Sequence, residues 1–223
     1  MGRLMRSSVR VWDGPTRLFH WLLVVLFAFS WWSAENREME WHVLSGLSLL
    51  GLLIFRLLWG VLGGSTARFT GFVKPPSAIL AYLGGRVHGR VSPGHNPLGG
   101  YSVIAMLLVL ALQTTTGLFA TDVDGLDSGP LSFLVTFEQG RIAAQVHEIA
   151  FNVSLALIAL HVLAIAFYLV VRRRNLITPM VTGKDHGLDP AHGQLVPAGP
   201  LRFVISALLA VAIAWGAANG FWL

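Results

Sequence analysis

Apolar residues along this chain are gathered into five long runs, each separated from the next by a more polar segment. The runs cover residues 15–34, 41–63, 98–120, 143–171 and 201–223. A helix needs about 20 mostly apolar residues to cross the hydrocarbon core of a bilayer, and each run is close to that length. The pattern therefore predicts an all-α integral membrane protein with five transmembrane helices.

Composition agrees with this pattern and narrows the chemistry. Hydrophobic residues make up 54% of the chain and charged residues only 12%, whereas soluble domains carry roughly 25% charged residues. The sequence contains no cysteine. Disulfides, thiolate metal ligands, iron–sulfur ligation and covalent attachment of a c-type haem are therefore excluded.

Charged residues divide the connecting segments into basic and acidic ones. Arginine and lysine cluster in the N-terminal tail and in the second and fourth connections, which the positive-inside rule assigns to the cytoplasm. This predicts a cytoplasmic N-terminus and, after five spans, a C-terminus on the outer side. The net charge of +5 is then a topology signal, and without a basic stripe interleaved with aromatic residues we expect no nucleic-acid partner. The acidic residues lie in the other two connections: Glu35, Glu38, Glu40, Asp122, Asp124, Asp127 and Glu138.

Four histidines, His20, His42, His147 and His161, lie inside the apolar runs or at their ends. An ionisable side chain at membrane depth is costly and usually functional. His147 and His161 are 14 residues apart on one predicted helix, an interval that returns to within about 40° of the same face and spans about 21 Å. The two side chains would therefore lie in opposite leaflets.

The predicted topology pairs these histidines by depth, His42 with His147 in the outer leaflet and His20 with His161 in the inner one. Each pair comes from two different helices, as is needed to hold a flat macrocycle from both sides. Two imidazoles leave a haem iron six-coordinate, without an open position, which suits electron transfer. The spacing thus predicts two stacked, non-covalently bound b haems, with the four histidines as iron ligands.

Arginines near the same depths are candidate partners for the haem propionates, because guanidinium groups bind carboxylates in bidentate fashion. Arg56 follows His42 by 14 residues and is expected at the level of the inner pair. Arg17 is a second candidate there, and Arg141 could serve the outer haem. Gly46, one turn after His42, would leave room for a porphyrin.

Alternative interpretations apply to each of these residues. A histidine or arginine at the end of a span can be an interfacial or topology residue, Arg56 can snorkel to the interface, and Gly46 can be a helix-packing contact. Four converging imidazoles could bind zinc or copper, but the separation of about 21 Å between His147 and His161 argues against one shared site. The remaining histidines lie in connections and are predicted to be exposed to solvent: His88, His95, His186 and His192.

The fifth run has no ionisable residue in its core and carries alanines at helical spacing. Such small residues permit close packing of membrane helices, so we assign this helix a packing role or a contact with a membrane subunit. We divide the chain into a di-haem domain at residues 1–180, a cytoplasmic linker at 181–200 and an additional C-terminal helix at 201–223. The alanines are Ala207, Ala210, Ala214 and Ala217.

Several motifs resemble those of the bacterial cytochrome b561 family, in the branch that contains the b-type cytochrome subunits of membrane-bound nickel–iron hydrogenases. They are V-W-D-G-P-T-R-L-F-H-W at residues 11–21, R-L-L-W-G at 56–60, G-H-N-P-L-G-G at 94–100, and the His147/His161 pair. The resemblance covers about residues 9–180. It implies a four-helix transmembrane bundle that holds two b haems on the same four histidines, with the fifth helix as an addition.

The function that follows is electron transfer through a di-haem b cytochrome of the bacterial inner membrane, as a subunit of an oxidoreductase system. It would connect the membrane quinone pool, a quinone being a further candidate ligand, with a periplasmic dehydrogenase, hydrogenase or c-type cytochrome. The acidic outer connections would attract a basic protein such as a c-type cytochrome.

Two other functions stay open at this stage. One is a superoxide:quinone oxidoreductase, which the acidic outer side disfavours because it repels the superoxide anion. The other is a haem-bearing assembly subunit of a larger membrane complex. A self-contained ferric reductase is disfavoured because no G-x-G-x-x-G nucleotide-binding motif follows a strand.

Overall fold

The computed structural model describes residues 8–84, 94–188 and 194–222, and these are mainly helical. Two short strands are also present, β1 (Val9–Arg10) and β2 (Lys184–Asp185), and two 3-10 turns, Ser132–Leu134 and Gly220–Trp222. The helices are α1 (Gly14–Glu35), α2 (Met39–Leu62), α3 (Phe69–Phe72), α4 (Pro76–Leu83), α5 (Pro97–Phe119), α6 (Phe137–Val170), α7 (Ile177–Thr182) and α8 (Pro200–Ala218).

Five of these helices, α1, α2, α5, α6 and α8, are long and apolar enough to cross a membrane. The predicted all-α membrane fold with five spans is confirmed, and the largest difference is at the start of α6. This helix begins at Phe137, well before the predicted residue 143. Thr136 and Gln139 form a reciprocal capping box, in which each backbone N–H donates to the other side chain, at 3.0 and 3.2 Å. The first turn of α6 is mostly polar, so the start of the helix cannot be recognised from the apolar run alone.

The end of α8 also differs from the prediction. The helix ends at Ala218 although the apolar run continues to residue 223. Gly220 has a φ of +65° and Phe221 a φ of +53°, and a left-handed backbone cannot continue a right-handed helix. Gly220 adopts a positive φ at no steric cost because glycine has no Cβ. A Cβ at this position would also lie 2.9 Å from Cζ of Phe133.

The chain forms two compact units, which share the long helices. Unit 1 contains the described parts of Met1–Leu18, Leu58–Ile104 and Leu160–Phe203, and unit 2 those of Phe19–Leu57, Ala105–Ala159 and Val204–Leu223. The functional division at residues 180 and 200 stays a prediction.

In unit 1 the N-terminal segment is bound by the chain that follows α6. Strand β1 pairs with β2 in antiparallel register, with Val9 opposite Asp185. The carbonyl of Gly183 accepts hydrogen bonds from the N–H groups of Val11, at 2.8 Å, and Trp12, at 3.3 Å. Residues 183–185 were predicted to be part of an irregular linker. They are ordered instead because the N-terminal strand supplies their hydrogen-bond partners.

In unit 2 the fifth spanning helix packs on α2 through its small residues. A Cβ placed on Gly51 would lie 3.4 Å from Cβ of Ala214, and Ala210 and Ala217 are buried. The opposite side of α8 exposes large apolar residues such as Leu208 and Val211. The small residues of α8 therefore serve a packing contact within this chain.

Candidate functional site

His42 on α2 and His147 on α6 lie close together in unit 2, with their rings edge to face. Their ring centroids are 6.0 Å apart, and the ring planes are inclined by 85°. Both side chains are half-buried. The two imidazoles come from different helices and can approach a common ligand from opposite sides.

His147 is fixed by two contacts with one residue of α5. Its Nδ1 lies 2.8 Å from the carbonyl oxygen of Gln113, and a carbonyl can only accept a hydrogen bond. Nδ1 therefore carries the proton, and Nε2 keeps its lone pair. The amide Nε2 of Gln113 lies 3.0 Å from that imidazole Nε2, which fits donation to the lone pair.

His42 is oriented in the same way by α1. Its Nδ1 lies 2.9 Å from the carbonyl oxygen of Ser30 and 3.3 Å from Oγ of the same residue. A ring nitrogen that donates to a backbone carbonyl leaves the other nitrogen available to a metal. Both histidines thus have the tautomer that a metal ligand requires, and a metal bound at Nε2 of His147 would take the place of the Gln113 amide there.

A cavity of about 260 Å³ lies between the helices of unit 2, and both imidazoles line it. Gly46 opens one wall, since a Cβ on this residue would meet no atom within 4 Å. Two carboxylates, Glu35 and Glu148, also line the cavity. Most of the wall is apolar and includes Phe27, Trp31, Leu47, Leu110, Leu118 and Phe151.

These features fit a b-type haem. Two imidazoles that each bind one metal through bonds of about 2 Å have ring centroids roughly 6 Å apart, close to the separation of His42 and His147. An apolar cavity suits a porphyrin, and Gly46 leaves space beside the ligand. Within the three described ranges there is no group of three or more His, Cys, Asp or Glu side chains that could hold a metal ion.

The inner pair is distributed over both units. His20, in unit 2, is half-buried and lies edge-on to Trp21 with ring centroids 4.9 Å apart. His161, in unit 1, is half-buried on α6. Their pairing as ligands of a second haem stays a prediction.

The three candidate arginines have different surroundings. Arg56 is 3% exposed, so its side chain does not extend into solvent. Arg17 donates from Nη1 to the carbonyl of Val181 at 2.6 Å, and Arg141 donates from Nη1 to the carbonyl of Thr121 at 3.0 Å. Their roles at haem propionates stay predictions.

Sequence reasoning missed two residues beside His147. Gln113 is the polar residue that binds both ring nitrogens, and Gly117 is the residue on which the ring lies. A Cβ on Gly117 would be 2.9 Å from Cε1 and 3.1 Å from Nδ1 of His147. Gln113 could have been noticed as a polar residue within the apolar run at 98–120, whereas nothing local distinguishes Gly117.

One of the four remaining histidines differs from the prediction. His95 is half-buried, with its ring 4.8 Å from that of Trp12 and 4.7 Å from that of Phe72. The prediction that it is exposed was wrong because the preceding Gly94, with a φ of +107°, turns the chain back toward these rings. His186 is exposed as predicted, and His88 and His192 lie outside the described residues.

A polar cluster lies in unit 1 among residues that sequence reasoning left unassigned. The hydroxyl groups of Tyr82 and Tyr168 are 2.8 Å apart. The side-chain amide of Asn96 donates to the hydroxyl of Tyr168 at 2.7 Å, and its oxygen accepts from the N–H of Gly99 at 2.6 Å. Three half-buried polar groups are thus connected at the ends of three helices.

Comparison with known families gives one match. The family described as prokaryotic cytochrome b561 matches residues 11–183, a segment that contains all eight predicted site residues and ends before α8. Neither the curated proteins nor the solved structures give a match.

Proposed function

The chain belongs to the prokaryotic cytochrome b561 family, and from this premise we propose that it conducts electrons through two b haems, between the quinone pool and a redox protein outside the bacterial inner membrane. Membership of the family implies a transmembrane b-type cytochrome that transfers electrons. The observation that carries the proposal is the pair formed by His42 and His147, with centroids 6.0 Å apart beside an apolar cavity.

The side chains of unit 2 would hold the outer haem and protect it from solvent. His42 and His147 would both hold the iron of this haem, an arrangement that suits electron transfer rather than oxygen binding. The apolar wall of the cavity would exclude water from the macrocycle. When bound, a b haem supplies an iron that accepts and donates one electron at a time.

The inner haem would be held by His20 and His161. One helix, α6, carries both His147 and His161, so about 21 Å of helix rise separates the two sites. Buried Arg56 on α2 is our candidate to bind a propionate of this haem, because guanidinium groups bind carboxylates in bidentate fashion.

The haem count tests the proposal directly. We expect a pyridine haemochrome assay and a reduced-minus-oxidised spectrum to give two b haems per chain in the wild type. Each of the variants His161→Ala and His147→Ala should carry about one haem. His186→Ala, at an exposed position, is the control and should keep both. A folded wild type without haem would refute the proposal.

The polar cluster of Tyr82, Asn96 and Tyr168 supports a quinone as the partner within the membrane. A quinone head group is apolar apart from two oxygens that accept hydrogen bonds. Half-buried hydroxyl and amide donors at the ends of α4, α5 and α6 are suited to bind such oxygens. We assign the quinone to the side of the membrane on which this cluster lies.

The acidic turn between α5 and α6 supports a basic protein as the other partner. Asp124 and Asp127 are exposed, and neither is in a salt bridge within the part of the chain that the structure describes. Opposite charges steer partners together and raise the association rate, whereas a like charge would disfavour superoxide. A basic c-type cytochrome is therefore the partner that we favour.

The salt dependence of electron transfer tests both partners together. In proteoliposomes that contain a quinol, we expect reduction of a basic soluble cytochrome c, slowing by roughly tenfold as salt screens the charges. The double variant Asp124→Asn/Asp127→Asn should slow the reaction at low salt only. An acidic cytochrome c serves as the control and should show the opposite salt dependence. Equal rates for both cytochromes at every salt concentration would contradict the assignment.

A further inference from the structure

We propose that Gly117 is a positioning residue for the outer haem, because it allows the His147 ring to lie directly on the backbone of α5. The inference rests on the proposed function, since it concerns an iron ligand. It assigns a role to a residue that neither the motifs nor the depth argument identified.

The contact between Gly117 and His147 leaves no space for a side chain. A Cβ on Gly117 would lie 2.9 Å from Cε1 of the ring and 3.1 Å from Nδ1, closer than carbon atoms approach one another without a shift. The ring would have to move away from α5. By contrast, a Cβ on Gly46 would meet nothing within 4 Å, so that glycine provides open space and Gly117 provides a contact.

This close approach brings Nδ1 of His147 to its acceptor. Gln113 lies one turn before Gly117 on the same helix, and its carbonyl oxygen is 2.8 Å from Nδ1. A ring displaced by even a few tenths of an ångström would lengthen this hydrogen bond and rotate the imidazole. Because a second hydrogen bond to a ligand histidine fixes its tautomer and orientation, the orientation of the His147 imidazole depends on Gly117.

The same arrangement occurs at the opposite ligand. Nδ1 of His42 lies 2.9 Å from the carbonyl of Ser30, and one turn after Ser30 the chain has the small residue Ala34, which lines the cavity. Each imidazole thus donates to a helix carbonyl, that of Ser30 or Gln113. One turn later, each of these helices has a small residue, Ala34 or Gly117.

Variants of Gly117 test the inference against a matched control on the same helix. The enlarged variants are Gly117→Ala and Gly117→Val, and the control is Thr115→Ala at an exposed position of the same turn. Alanine favours a helix more than glycine does, so a change in Gly117→Ala cannot be ascribed to a weaker helix. The measurements are haem per chain, the midpoint potential of each haem and the electron paramagnetic resonance spectrum of the ferric state, which reports imidazole orientation.

We expect Gly117→Val to fall from two haems per chain to about one. Gly117→Ala should keep two haems but shift the potential and the resonance of one of them, and Thr115→Ala should match the wild type. If Gly117→Val does not accumulate, Gly117→Ala decides the question. Two haems with wild-type potentials and spectra in the Gly117 variants, or equal loss of both haems, would overturn the inference. A wild type without two haems would instead refute the proposed function.

Discussion

Asp13 shows how one buried residue can connect several parts of unit 1. Its Oδ1 accepts the N–H of Thr16 at 2.8 Å and thereby caps the start of α1. Its Oδ2 accepts the indole N–H of Trp59, on α2, at 3.0 Å. The carboxylate therefore joins the helix that carries His20 to the end of the helix that carries His42.

We expect Asp13→Ala to lower the free energy of unfolding by about 2–3 kcal/mol, since it removes both a helix cap and the buried hydrogen bond from the Trp59 indole. The measurement is thermal unfolding in detergent, with Asp124→Ala on the exposed turn as the control. In a Trp59→Phe background the loss should shrink to about 1 kcal/mol, the share of the cap. Equal melting temperatures for Asp13→Ala and Asp124→Ala would show that these contacts contribute little.

At the scale of residues, the sequence identifies ionisable side chains within apolar runs. It does not identify residues whose role depends on a contact with another helix. His42 and His147 could be paired because an ionisable group at membrane depth stands out and helix rise assigns its depth. Gln113 and Gly117 could not be assigned to His147, because the facing surfaces of α5 and α6 depend on how these helices pack. The surroundings of His95 were predicted wrongly for the same reason, since they depend on a turn at Gly94 and on two distant rings.

At the scale of elements, α8 was predicted correctly as a fifth span. The structure shows that its small residues pack within the chain. Ala210 and Ala214 lie against Gly51 of α2, so this part of the small-residue surface is used within the chain. The exposed side of α8 carries large apolar residues, which suit lipid. A membrane subunit bound through α8 stays a prediction, and it would have to use that second surface.

The contact between α2 and α8 predicts that a larger side chain at Gly51 lowers the stability of the protein. We expect Gly51→Leu to destabilise the protein by about 1–3 kcal/mol, because the added side chain has to displace Ala214 at a tightly packed contact. Ser48→Leu, at an exposed position of the same helix, is the control, and thermal unfolding is the measurement. A Gly51→Leu variant that melts with the wild type would show that α8 is loosely attached.

At the scale of the whole molecule, the five spans and the charges of their connections predict the orientation of the chain. An odd number of spans places the termini on opposite sides, and the basic segments mark the cytoplasmic side. The absence of cysteine makes this orientation accessible to measurement, because each introduced cysteine is the only thiol in the protein.

Labelling with a membrane-impermeant maleimide should therefore separate the two sides. Leu126, 84% exposed in the acidic turn, and His186, exposed beside β2, are suitable positions. We expect Leu126→Cys to react in intact cells and His186→Cys to react only after the membrane is permeabilised. The reverse pattern would invert the orientation and, with it, the assigned sides of the quinone and the protein partner.

The pairing of β1 with β2 has a consequence for the biogenesis of the protein. Val9 and Val11 are almost completely buried, yet the residues that pair with this segment, Asp185 and Leu195, are synthesised only after four of the five spanning helices. At translation rates of about 5 to 20 residues per second, the ribosome needs roughly 10 to 35 s to reach them. During that interval Val9 and Val11 lack these partners, so the N-terminal segment can close only after the chain that follows α6 has been made.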